Sequence, residues 1–175
     1  MSVVTLIDFR EKPEISITEI YDSMLSFFPR KKAVKENFVK AAHENVDQIK
    51  QAVDYFGKKL NVVYLNDVLR LGTNYLQPWM MAIDEPLSRV QVVFSKEGVK
   101  QVIDLLSGHT IGNRSVISEF SVSADDLIKI AIHEYGHQNG LYDHDDREHE
   151  YCFMSIFSTK HQNEFCDICL EKLLK

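Results

Sequence analysis

The chain has no basic excess, no long apolar run and too few cysteines to staple a fold. Each shortage removes a class of function. Lys and Arg number 20 against 26 Asp and Glu, so the formal net charge is −6. That balance offers no basic footprint for a nucleic acid, and Arg30-Lys31-Lys32 is only a short run. No stretch approaches the roughly 20 consecutive apolar residues that span a bilayer, so no membrane partner is expected. The run MSVVTLIDFREK lacks a basic segment followed by a long apolar core, and no secretory signal is expected there. Three cysteines are an odd number, which argues against a disulfide framework. Free thiols persist most easily in a reducing compartment, so the cytoplasm is the expected location. Neither repeats nor low-complexity segments occur. What remains is an ordinary soluble composition. With 175 residues, 45% of them hydrophobic, the chain can bury a core and should form one domain, 1–175.

Against this plain background one motif stands out, His133-Glu134-Tyr135-Gly136-His137. Four residues apart on a helix, His133 and His137 project from one face. Two imidazoles so placed can bind one zinc ion, with Glu134 beside them as a general base. Gly140 would end the helix and turn the chain, so that Asp143, three residues on, can reach the same metal as a third ligand. The plain alternative is a polar patch on a surface helix. The local context favours the site. Ser123 is a good N-cap with Asp126 three residues later, a capping-box-like pair. Leu127, Ile128, Ile130, Ala131 and Ile132 supply a buried helix body. Asn139-Gly140 is a C-terminal stop. A helix over about Ala124 to Asn139 is expected.

The cysteines, Cys152, Cys166 and Cys169, all lie beyond Tyr151. Cys166-Asp167-Ile168-Cys169 is a C-x-x-C, a common half of a tetrahedral zinc site. The plain alternative is a redox C-x-x-C or three unrelated thiols, but a redox motif would sit near a βαβ pattern, and this one lies near the C-terminus after a loop. With three thiols a fourth ligand is needed, and His144, His149 and His161 are all near. Asp143, Asp145, Asp146, Glu148 and Glu150 form an acidic cluster that reads as a solvated loop, without a calcium-loop pattern.

From His133 to Cys169 the chain resembles an archaemetzincin. HEYGHQNGLYDH, then Cys152-Phe153-Met154, then FCDIC follow that family's order of H-E-x-x-H-x-x-G-x-x-H-C, C-x-M and C-x-x-C. The resemblance implies a zinc metallopeptidase of the metzincin clan. It implies a fold of mixed α/β (α+β) class: a twisted sheet with a backing helix and an active-site helix in 1–140, and a small zinc-tied subdomain in 141–175. Met154 would form the Met-turn beneath the catalytic zinc. The family's four-cysteine second zinc site maps onto His144, Cys152, Cys166 and Cys169, with His replacing the first Cys. Two zinc ions and a peptide or protein substrate are thus implied. Three departures stand: Asp143 replaces the third His, His144 to Cys152 is longer than usual, and Met154 to Cys166 is shorter. A competing assignment makes His144 the third catalytic ligand and His149 the fourth ligand of the second zinc. Two other functions remain open: a catalytically weak, zinc-stabilised scaffold that binds a peptide or protein, and a zinc hydrolase of a non-peptide bond. Nothing here indicates an oligomeric state.

Elsewhere, apolar patterning predicts strands at Val3–Phe9, Asn61–Leu65, Tyr75–Ile83, Arg89–Phe94 and Ser115–Ser121. It predicts helices at Ile17–Phe28, Lys32–Phe56 and Lys96–Leu106. Gly108 to Asn113 reads as a loop carrying an exposed His109, and His43 as a surface or packing residue. Alternating strands and helices point to a mixed α/β sheet backed by helices.

Overall fold

Short apolar runs in this chain pair into a parallel sheet. The computed structural model describes residues 5–8, 10, 12–29, 37–39, 79–84, 87–95, 98–157 and 159–175. Strand β1 (Thr5–Asp8) lies between β2 (Asn37–Val39) and β3 (Trp79–Ile83), parallel to both. Strand β7 (Arg114–Ser118) continues the sheet parallel to β3, and β6 (Gly108–Ile111) closes it antiparallel to β7. The order is β2-β1-β3-β7-β6. The run Trp79-Met80-Met81-Ala82-Ile83 suits a strand covered on both faces. Its alternate residues Met80, Ala82 and Met81, Ile83 are all buried. Strands β4 (Leu87–Ser95) and β5 (Gly98–Leu106) form a separate antiparallel ladder, from Leu87↔Leu106 to Ser95↔Gly98.

Among the described residues, two helices cover the sheet. Helix α1 (Ile17–Leu25) starts at a full capping box: Ser16 accepts from the Glu19 N–H, and Glu19 accepts from the Ser16 N–H. Ile17, Ile20, Tyr21 and Met24 recur at helical spacing and are fully buried. Each such apolar side chain contributes about 1.5–3 kcal/mol. The helix ends as i→i+3 bonds to Ser26, Phe27 and Phe28 tighten the last turn ahead of Pro29. Helix α2 (Ala124–Gln138) packs between α1 and the β6–β7 pair, burying Leu127, Ile130 and Ala131 in the same core as Leu6, Met80 and Ile117. Arg10 fastens the edge of this assembly. Its buried guanidinium forks onto Asp8 at 2.8 Å and reaches Glu119 at 2.6 Å, tying β1 to the approach to α2. No helix among the described residues is long and apolar enough to cross a membrane.

The expected mixed α/β layout is therefore present, with three local corrections. The helix expected over Lys96–Leu106 is strand β5. Val99, Val102, Ile103 and Leu106 satisfy helical spacing, but β-branched residues serve a strand equally, and nine pairings with β4 decide it. The loop expected from Gly108 to Asn113 contains β6, which turns back at Gly112 (φ +62°) into β7. Within the helix expected over Lys32–Phe56, Asn37–Val39 is strand β2, where Phe38 pairs with Leu6 across the sheet. The rest of that segment, including His43, lies outside the described residues, as does the strand expected at Asn61–Leu65. The sequence also gave no notice of helix α3 (Asp167–Leu174).

Candidate metal centre

Helix α2 carries the motif on its last turns and stops where a ligand can follow. Ser123 caps its start, accepting from the Asp126 N–H at 3.2 Å. At its end Gly140 adopts φ +81°. The Gly140 N–H donates to His137 O and the Leu141 N–H to Gly136 O, each at 3.0 Å, the two bonds of a Schellman motif. That turn brings Asp143 back over the helix. Asp143 Oδ1 lies 3.2 Å from His133 Nε2 and 3.3 Å from His137 Nε2, and the two Nε2 atoms are 3.1 Å apart.

The other ring nitrogens are already committed. His133 Nδ1 faces Phe153 O at 2.8 Å, and His137 Nδ1 faces Leu141 O at 3.0 Å. A carbonyl only accepts, so each Nδ1 carries the proton and each Nε2 presents its lone pair. With both rings neutral, three acceptors converge on one point, an arrangement that suits a cation between them. Hydrogen bonds from the imidazoles of His133 and His137 would hold the Asp143 carboxyl well below the usual range. Burial, the largest influence, disfavours a charged ring at both histidines, but Asp143, the Glu134 charge and the Phe153 or Leu141 carbonyl together raise both above the ordinary value.

Glu134 sits beside this cluster, 5% exposed. Burial raises its carboxyl above the ordinary value, while His133 and a hydrogen bond from Thr110 pull the other way. The four residues open on a cleft of about 1230 Å³, with Leu105, Tyr142 and Ile156 among its apolar lining. Below the histidines, Met154 is fully buried against Gly136. A Cβ on Gly136 would overlap Met154 Sδ, so the small residue between the two histidines is a packing requirement.

A second cluster lies on the far side of Asp143. His144 Nε2 is 3.2 Å from Cys169 Sγ and 3.3 Å from Cys166 Sγ, and Cys152 Sγ is 3.9 Å from Cys169 Sγ. All four ligand atoms lie within 4.8 Å of one another. The backbone N–H groups of Cys166 and Met154 donate to Cys152 Sγ at 3.3 and 3.5 Å. The Cys152 thiol is pulled down to about 5, first by the Cys169 thiol and then by those N–H groups. The same pairing pushes the Cys169 thiol up. Cys166 and Cys169 occupy the N-cap and first turn of α3, where the helix dipole favours a thiolate. His144 is clamped by its backbone as well: its N–H donates to Met154 O at 2.8 Å, and its carbonyl accepts from Ile156 at 3.1 Å.

No protein-family profile and no curated protein sequence matches this chain. Solved structures do. The crystal structure of the archaemetzincin from Methanopyrus kandleri superposes with a TM-score of 0.62 at 20% identity, over 99% of this chain and 94% of that one. This chain has an archaemetzincin-like fold. A zinc-dependent peptidase from Methanocorpusculum labreanum is also similar, with a TM-score of 0.55 and 10% identity over 97% of this chain and 99% of that one.

Within this archaemetzincin-like fold the sequence-predicted residues fall into two groups. His133, His137 and Asp143 come together, as do His144, Cys152, Cys166 and Cys169. His149 directs Nδ1 to Asp146 Oδ1 at 2.7 Å and stacks on the His144 ring at 4.8 Å. It could approach a metal only with His144 and Asp146, not with the cysteines. His161 is exposed and joins neither group. His109 lies in β6 and lines the cleft, not in an exposed loop. The sequence reading missed Thr110, Ser115 and Gln138, which surround Glu134, and the packing role of Gly136. No local signal marks Thr110 or Ser115: β6 reads Gly-His-Thr-Ile and β7 Arg-Ser-Val-Ile-Ser, mixed runs in which one more hydroxyl does not stand out.

Proposed function

We propose that this chain is a zinc-dependent metallopeptidase, with His133, His137 and Asp143 holding the catalytic ion and Glu134 acting as general base. One observation carries the reading: three acceptor atoms converge at 3.1–3.3 Å while both Nδ1 atoms are tied to carbonyls. The set fits zinc. Nitrogen and oxygen ligands roughly 2.0–2.1 Å from a tetrahedral ion stand roughly 3.3–3.4 Å from each other. The names of the two similar structures, an archaemetzincin and a zinc-dependent peptidase, support the same choice. A zinc ion held there supplies Lewis acidity, which polarises a peptide carbonyl and lowers the pKa of water.

The remaining work falls to side chains. Asp143 offsets part of the ion's charge. Glu134 takes a proton from the attacking water and returns it to the leaving amine. Strand β6 has one neighbour among the described strands, β7, so an extended peptide substrate can pair along its other edge. The second cluster also fits zinc. Bonds of about 2.3 Å to sulfur and about 2.0 Å to nitrogen set sulfur pairs about 3.8 Å apart and sulfur–nitrogen pairs about 3.5 Å apart. In this reading the chain holds two zinc ions, the second through His144, Cys152, Cys166 and Cys169. Residues 1–175 form one catalytic domain, and 141–175 are tied by that second ion. Its free thiols suit the cytoplasm.

Glu134→Gln tests the assignment. The variant keeps zinc and loses peptide hydrolysis by a hundredfold or more, on the order expected for a lost general base. Turnover of a broad peptide library and elemental analysis read the two effects separately. Undiminished turnover in the variant would exclude Glu134 as base. One observation favours a second reading, a catalytically weak peptide-binding scaffold: the third ligand, Asp143, is anionic and has a side chain 51% exposed. A wild type that binds peptides without cleaving any would establish it.

A further inference from the structure

Glu134 is not free to place its carboxylate as it pleases. Gly108 and Thr110 lie two residues apart on β6, hence on one face of the strand, and that face meets α2. Gly108 leaves room for the Glu134 side chain: a Cβ there would stand 2.5 Å from Oε1 and 2.7 Å from Cγ. Thr110 does the opposite and holds it. Its Oγ1 is 2.6 Å from Glu134 Oε2 and 3.0 Å from the Glu134 carbonyl oxygen. Behind Thr110 stand two further polar groups from other elements. Ser115 Oγ, on β7, is 2.7 Å from Thr110 Oγ1, and Gln138 Nε2, at the end of α2, donates to Ser115 Oγ at 2.6 Å.

Counting protons gives this chain a direction. The Gln138 amide nitrogen, the atom that faces Ser115, can only donate, so Ser115 receives. The single Ser115 proton then goes on to Thr110 Oγ1, at 2.7 Å, rather than to the Glu134 carbonyl at 3.3 Å. The single Thr110 proton goes to the carboxylate oxygen, its shortest contact. The relay Gln138→Ser115→Thr110→Glu134 ends on Oε2 and occupies it. Oε1, above Gly108, is the oxygen that Thr110 leaves unengaged and the one better placed to exchange a proton.

We propose that Thr110 is a positioning residue that fixes the Glu134 carboxylate and reserves Oε1 for proton transfer, with Gly108 clearing the space in which Oε1 works. The role rests on the peptidase reading, in which Glu134 is the base. A misplaced base loses rate without losing substrate affinity.

Thr110→Val keeps the shape and the strand preference and deletes only the hydroxyl; Thr110→Ser keeps the hydroxyl. Expected for Thr110→Val is a fall in kcat of about tenfold or more, with KM within about twofold and zinc content and melting temperature near wild type. Thr110→Ser should recover most of the rate. A purely structural role would instead lower the melting temperature or zinc content, and serine would not rescue. A second readout needs no turnover. The Glu134 carboxylate stretch, isolated as the infrared difference between wild type and Glu134→Gln, should shift in Thr110→Val and stay in place in Thr110→Ser. An unshifted band in Thr110→Val, or an unchanged kcat, overturns the proposal. A shifted band in a protein that cleaves no peptide would instead leave the carboxylate fixed by Thr110 and sink the peptidase reading.

Discussion

Gly136 shows how one residue can matter through what it leaves out. In the interior of a helix, glycine is about 1 kcal/mol worse than alanine, so Gly136→Ala should stabilise if propensity ruled. A Cβ at this position instead overlaps Met154 Sδ, within a side chain that has no exposed surface. Overpacking a closed core costs about 1–3 kcal/mol, which exceeds the propensity gain across most of its range. Gly136→Ala should therefore destabilise the protein by up to roughly 2 kcal/mol net and disturb any metal binding at His133 and His137 on either side. A double-mutant cycle separates the two effects. In a Met154→Ala background the overlap is gone, and Gly136→Ala should become neutral or stabilising in denaturant titrations. Additive effects of the two substitutions would show that the contact is not the cause.

At the scale of elements, helix α2 is positioned from both ends. Its far end is the glycine turn at Gly140. Its near end is Asp126, which accepts from Thr159 Oγ1 at 2.7 Å and from Ser123 Oγ at 2.8 Å and so ties the first turn to the chain beyond Met154. These bonds, that from Thr159 first, lower the Asp126 pKa below its ordinary value. A depressed carboxyl contributes stability that is present above its unfolded pKa and fades as pH falls through the lower folded value. The melting-temperature gap between wild type and Asp126→Asn should thus be open at neutral pH and close below pH about 4. A gap independent of pH would assign the effect to packing. The same helix explains what the sequence could announce. His133, Glu134 and His137 are brought together by local helical geometry, and Ser123 and Gly140 mark the ends by their own chemistry. Thr110, Ser115 and Glu134 meet only because β6 turns back on β7 and the pair packs on α2, and no local pattern encodes that. Strand β5 was misread for the same reason: its pairing with β4 is non-local, and Val99, Val102, Ile103 and Leu106 fit either period.

Across the whole molecule, neighbouring residues face different clusters. Asp143 faces the histidines of α2, and His144 faces the cysteines of the tail. Their variants should fail differently. Asp143→Ala should reduce zinc from about two equivalents toward one and abolish activity, with the tail still resistant to proteolysis. His144→Ala should loosen the tail and lower the melting temperature, because a structural metal contributes directly to folding. If His144→Ala empties the catalytic position and keeps the cysteine site filled, the two assignments must be exchanged. The division between them was legible in the order of the motifs, whereas the helix that presents Cys169 was not, since eight residues give too short a period to read. The adjacency also bears on time. A chain emerges from the ribosome in sequence order, and His144 leaves it well ahead of its partners, which lie 22 and 25 residues further on. Until those residues arrive, only the backbone bonds with Met154 and Ile156 can restrain the chain next to Asp143. The histidine pair can be ready early, since one helix makes it. On the proposed reading, Asp143 would take its final place once the segment that follows it has folded back, so the cleft would be completed by residues made after the helix that founds it.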